Sequence, residues 1–131
     1  MTRCVLDTDV VIAALDRADA HHPEASAALV GMLDGGVSLH LSVVNYAEAL
    51  VQPAIDEATL EQAVTAIAAL RIAIHAPDAA IGRDAARLRQ MQISLADGFA
   101  LATARALDAS IASYDARVCV AARKAGVPIA G

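Results

Sequence analysis

Short apolar, β-branched segments alternate along this chain with longer stretches of helical periodicity, and that alternation constrains the fold more than any other feature. Residues 3–6, 37–41, 72–75 and 110–113 read as strands, with 127–130 as a fifth, edge strand. Between them the spacing predicts helices over 8–16, 23–33, 43–51, 56–70, 78–91, 94–107 and 115–124. Ser42 and Ser94 are well placed as N-caps, Gly35-Gly36 and Pro53 as stops, and Gly126 as a C-terminal helix stop. Strands separated by helices favour a parallel sheet covered on both faces. The expected architecture is therefore α/β, a three-layer domain over residues 1–131 with a short, mostly parallel sheet of about four to five strands.

Composition agrees with this and excludes several classes. Hydrophobic residues make up 57% of the chain, much of it alanine, which favours helices packed through small residues. Apolar runs fall short of the roughly 18 residues of a membrane helix, and Asp7 and Asp9 interrupt what would be the apolar part of a leader. The expectation is a soluble, cytoplasmic protein with no membrane partner. Cys4 and Cys119 fit free thiols better than a disulfide framework. His21-His22 precedes Pro23 and reads as a solvated helix entry rather than a metal site.

A net charge of −5 is the wrong sign for a generic nucleic-acid binder. Five acids stand apart by position, however: Asp7, Asp9, Glu48, Asp97 and Asp115. Asp7 ends the first strand of "VLDTDVVIAAL", and Asp9 lies in the first turn of the helix after it. Ser113 ends a later strand, and Asp115 starts the next helix. Glu48 lies on the apolar helix "VVNYAEALV", and Asp97 is in the first turn of "SLADGFALATARAL". In an open parallel sheet, sites form beyond the carboxyl ends of strands. Acids on apolar helices need compensation, which a hard divalent cation supplies. Asp7, Glu48, Asp97 and Asp115 would then form an oxygen-only site suited to Mg²⁺ or Mn²⁺ rather than zinc. Each acid also has a plainer reading. Asp7, Asp9 or Asp115 caps a helix, Asp97 completes a Ser-x-x-Asp capping box with Ser94, and Glu48 faces solvent.

Four segments in order, "VLDTDVVIAAL" (5–15), "LSVVNYAEAL" (41–50), "LADGFALATARAL" (95–107) and "IASYDARV" (111–118), resemble the PIN-domain family. Within it they resemble the VapC-like ribonuclease toxins of type II toxin–antitoxin pairs. The resemblance implies that Asp7, Glu48 and Asp97 are the core acidic ligands and Asp115 the more variable fourth acid. Ser113 would support the site through its hydroxyl. Asp9 takes an auxiliary place, and Asn45 stands where a Thr is common. The implied activity is a Mg²⁺- or Mn²⁺-dependent endoribonuclease, cutting structured RNA such as tRNA or rRNA. The implied partners are RNA, a small antitoxin that blocks the acidic site, and a second copy of the chain. The antitoxin would lie along an apolar groove, for which residues 25–33 and 47–51 are candidates.

Rival readings make different demands. Phosphoaspartate enzymes of the haloacid dehalogenase type and receiver domains want a lysine at the phosphate, whereas the one lysine here is Lys124, late in the last helix. A PIN-like module that binds RNA or protein without cutting, and a structure-specific DNA nuclease, are the remaining alternatives. Arg3, Arg83, Arg87, Arg89, Arg105 and Arg117 are candidate phosphate contacts, with solvated ion pairs as the plainer role. Tyr114, beside Asp115, is placed either to stack on a base or to pack.

Overall fold

In the computed structural model, which describes residues 2–130, the elements follow the alternation of the sequence closely. They are β1 (Arg3–Leu6), α1 (Thr8–Leu15), α2 (His22–Asp34), β2 (Ser38–Ser42), α3 (Val43–Leu50), α4 (Glu57–Ala69), β3 (Ala73–His75), α5 (Ala79–Arg89), α6 (Leu95–Ala106), β4 (Ser110–Ala112) and α7 (Ala116–Ala125). The four strands form one parallel sheet in the order β3-β2-β1-β4. Cys4 pairs with Ser110 and Leu6 with Ala112, so β1 and β4 end side by side.

The pleat of the central strand divides the core. Val5 and Ile111 face one way, into a cluster with Ala85, Leu88, Leu101 and Val118 of α5, α6 and α7. Cys4, Leu6, Leu39 and Leu41 face the other, against Val10, Leu29 and Ile67 of α1, α2 and α4. Alternate side chains therefore feed two layers, which is why the strands read as continuously apolar. The small residues of α6 let it sit close to α5. A Cβ at Gly98 would lie 2.6 Å from the Ala85 carbonyl oxygen.

The expected fifth strand, 127–130, is reduced to a single parallel bridge between Ile111 and Ile129. Ile111 N–H donates to Pro128 O at 2.9 Å and Ala130 N–H to Ile111 O at 2.8 Å. Pro128 has no N–H with which to extend the ladder. The sequence reading also missed a 3-10 turn at Pro53–Ile55. It ran the fifth helix two residues too far, because Gln92 takes a positive φ of 65° that closes the α5–α6 turn. Gly126, at φ 75°, stops α7 as expected.

Candidate metal centre

The carboxyl ends of β1 and β4 present their polar residues side by side. Asp7 is the N-cap of α1 and is only 2% exposed. Its Oδ1 accepts from Thr8 N–H at 2.9 Å, and its Oδ2 accepts from the Ser113 hydroxyl at 2.8 Å. Ser113 Oγ in turn accepts from Asp115 N–H at 3.0 Å. Asp9, in the first turn of α1, accepts from Tyr114 N–H at 3.0 Å through Oδ2. Its Oδ1 is buried without a partner.

Asp97 reaches the same place from α6. It forms the capping box with Ser94, through Ser94 N–H to Oδ2 at 3.1 Å and Asp97 N–H to Ser94 Oγ at 3.0 Å. Capping and site membership are thus compatible roles. Burial pushes the Asp7 carboxyl up to about 7, and the negative charges of Asp9 and Asp97 act in the same direction, while Ser113 opposes them. Burial likewise raises Asp9, reinforced by Asp115 and Asp97. For Asp115 partial burial pulls upward, but the Arg117 backbone N–H and guanidinium outweigh it and hold the carboxyl low. Asp97 and Asp115 therefore lie near enough for their charges to act on Asp7 or Asp9.

Asn45 secures the group from α3. It is fully buried, and its Nδ2 donates to Thr8 Oγ1 at 3.0 Å and to Ala96 O at 3.1 Å, while its Oδ1 has no partner. One amide thereby joins the first turns of α1, α3 and α6. Glu48, one turn further along α3, is exposed and lines a groove of about 520 Å³ with Ile12, Leu15, Ala49, Pro53 and Ala63. Asp9 and Asp97 thus act on Asp7 through charge, Asp115 and Asp97 act on Asp9, and Glu48 lines the groove wall.

The donor set fits a hard divalent cation. It is all oxygen and net negative, and it contains an orphaned buried acceptor in Asp9 Oδ1. Among the described residues no three His, Cys, Asp or Glu side chains close around a point as a finished cage. Mg²⁺ suits that openness, because it keeps several waters and uses few protein ligands. Among the described residues, Asp115 is the one member of the group in an ion pair, with Arg117 at 3.4 Å.

Two other candidates have partners of their own. Arg3 donates to Leu107 O at 2.7 Å, and Arg105 pairs with Asp84 at 3.3 Å. In residues 25–33, Ala25 and Leu29 are core, whereas Glu48 and Ala49 of residues 47–51 do line the groove. The sequence reading missed the Thr8 hydroxyl, and it missed that His21 stacks on Tyr114 with centroids 4.3 Å apart. Neither carries a local signal, since each contact joins distant parts of the chain.

No helix among the described residues is long and apolar enough to cross a membrane. No curated protein matches the chain. Solved structures share its fold at low identity. The sarcin-ricin loop-cleaving toxin VapC20 of Mycobacterium tuberculosis aligns with a TM-score of 0.72 at 15% identity, covering 90% of this chain and 94% of that one. A chain of VapBC2 from Rickettsia felis, solved with a promoter DNA fragment, gives 0.71 at 14%, with 98% of each chain covered. VapBC-1 from nontypeable Haemophilus influenzae gives 0.70 at 17%, over 98% and 97%. The family model described as "PIN domain" matches residues 4–124, nearly the whole length over which the sheet and its acidic ends are built, and the chain belongs to the PIN-domain family.

Proposed function

We propose that this protein is a divalent-metal-dependent endoribonuclease, the toxin of a VapBC-type toxin–antitoxin pair. The observation that carries the reading is the group Asp7, Asp9, Asp97 and Asp115, brought from three elements to adjacent strand ends with Asp9 Oδ1 buried and unpaired. Asp7, Asp97 and Asp115 would hold Mg²⁺ or Mn²⁺, with Asp9 closer to the ion than an auxiliary role implies. Glu48, exposed on α3, would complete the set.

When bound, the ion supplies charge stabilisation at the scissile phosphate and lowers the pKa of an attacking water. The protein's own residues set the stage for that chemistry. Ser113 and Thr8 fix the two oxygens of Asp7, so that its carboxylate is presented in one orientation. The Asn45 amide fixes the distance between the α1 and α6 ends that carry Asp9 and Asp97. Asp115 is kept ionised by Arg117.

The α1–α3–α4 groove, whose apolar wall is edged by Asp16, Glu48, Gln52, Thr59 and Gln62, fits an amphipathic antitoxin segment whose basic side chain reaches the acids. The similar Rickettsia and Haemophilus structures are VapBC complexes, which supports an antitoxin as partner. A homodimer and a structured RNA substrate complete the reading.

The test is cleavage of tRNA and rRNA fragments with Mg²⁺ or Mn²⁺, with and without EDTA. Metal-dependent cutting that is lost in Asp97→Asn, with the fold intact by circular dichroism, is the expected result. Cleavage that persists in EDTA, or in Asp97→Asn, overturns it.

A further inference from the structure

The His21 and Tyr114 rings lie parallel, 10° apart in plane and 4.3 Å between centroids, and join the entry of α2 to the turn between β4 and α7. The stack adjoins the acidic group, since Tyr114 N–H donates to Asp9 Oδ2 at 3.0 Å. The His21 backbone N–H donates to Asp19 Oδ1 at 2.8 Å, and its Nδ1 lies 3.4 Å from Glu24 Oε2. The imidazole is thus held by its edge and by one face. Its side chain remains 53% exposed, which leaves the face turned away from Tyr114 open. A flat ring positioned in this way presents a π-surface to solvent in a chain with very few aromatic residues.

We propose that the His21–Tyr114 stack is a platform that receives an unpaired RNA base flanking the acidic centre. The proposal rests on the ribonuclease reading and deepens it by naming the residues that select the substrate. Asp19 and Glu24 at the rim disfavour a phosphate there. They favour a base edge that carries amino hydrogens, because a carboxylate accepts from such a group. Stacking on the open imidazole face tolerates any base, and the carboxylate rim then ranks adenine, guanine and cytosine, which carry an amino group, above uracil, which has none.

The test uses short single-stranded RNA carrying 2-aminopurine, mixed with the full chain and Mn²⁺ in a stopped-flow instrument. Stacking quenches the label before any cut. The expected result is quenching by the wild type and by His21→Phe, which keeps a ring without the imidazole nitrogens. His21→Ala should weaken apparent binding about ten-fold or more, with the rate at saturation unchanged. Replacing bases by uracil should weaken binding in the wild type. Wild-type quenching that His21→Ala reproduces, or no quenching at all, overturns the platform. Cleavage of tRNA and rRNA fragments by the same protein preparations separates the two ideas. Quenching without metal-dependent cutting leaves the platform standing and sinks the ribonuclease reading, while cutting without quenching does the reverse.

Discussion

The Ser113 hydroxyl gives its single proton to Asp7 Oδ2 at 2.8 Å and receives the Asp115 N–H at 3.0 Å. A residue at the end of β4 thereby orients the acid at the end of β1 and anchors the start of α7. The link is possible because β1 and β4 are parallel neighbours whose last residues, Leu6 and Ala112, stand in register. The "polar residue, spacer, aspartate" pattern at both strand ends is thus one hydrogen-bonded unit.

Replacing Ser113 by Ala should act on Asp7 before it acts on the fold. Ser113 opposes the upward push of burial on the Asp7 carboxyl. Its loss leaves Asp7 Oδ2 without that donor and raises the proton affinity further. The acid limb of the pH–rate profile for metal-dependent cleavage should move to higher pH. Activity at neutral pH should fall, with substantial recovery at pH 9. An unmoved acid limb would show that Ser113 does not set the state of Asp7.

Without metal, the acidic centre should weaken the fold at alkaline pH. Asp7 is raised by burial to about 7 and Asp9 is raised in the same direction. Between about pH 4 and 7 the unfolded chain ionises these groups while the folded chain keeps its protons, so stability declines as pH climbs through that window. Urea unfolding in EDTA should give a lower midpoint at pH 8 than at pH 5. Asp7→Asn should flatten that dependence and stabilise the metal-free protein at pH 8 by up to a few kcal/mol. Mg²⁺ should raise the wild-type midpoint more at pH 8 than at pH 5, because the ion competes with protons for the same oxygens.

The legible parts of this molecule are those fixed by neighbours in sequence. Ser42, Ser94 and Asp115 cap helices within two or three residues of themselves, and each appears where the pattern places it. The parallel sheet follows from the helical connections. What the pattern leaves open is set by tertiary contact. Asn45 meets Thr8 and Ala96 across 37 and 51 residues, and no spacing rule points to that meeting. Glu48 shares a helix with Asn45, yet the turn of α3 that buries Asn45 leaves Glu48 on the groove. Asp97 reads both ways because it caps α6 while its charge also acts on Asp7.

Gly98 tests how closely α6 must approach α5. A Cβ there would meet the Ala85 carbonyl oxygen at 2.6 Å, and a backbone atom inside a helix cannot step aside alone. Gly98→Ala should therefore destabilise the protein by about 1–3 kcal/mol despite alanine's better helix propensity. Thermal unfolding will show a lowered Tm. An unchanged or higher Tm would mean that the two helices separate freely.

Asn45 is the residue whose removal should couple stability most tightly to activity. Its amide is the shared donor for Thr8 Oγ1 and Ala96 O, at the two helix starts that carry Asp9 and Asp97. Asn45→Ala leaves both acceptors without it and should cost about 1–3 kcal/mol. Asn45→Asp is nearly the same size, but when ionised it cannot donate, and it adds negative charge beside Thr8. Its penalty should exceed that of alanine at pH 8 and shrink toward pH 5, where protonation restores a donor. Urea midpoints at the two pH values, measured with single-turnover cleavage on the same preparations, separate the roles. If Asn45 merely fills space, Asn45→Ala will lose stability yet cleave at the wild-type rate at saturating Mn²⁺. If it sets the spacing of the acids, Asn45→Asp should recover stability at pH 5, and Asn45→Ala should cleave more slowly even at saturating Mn²⁺.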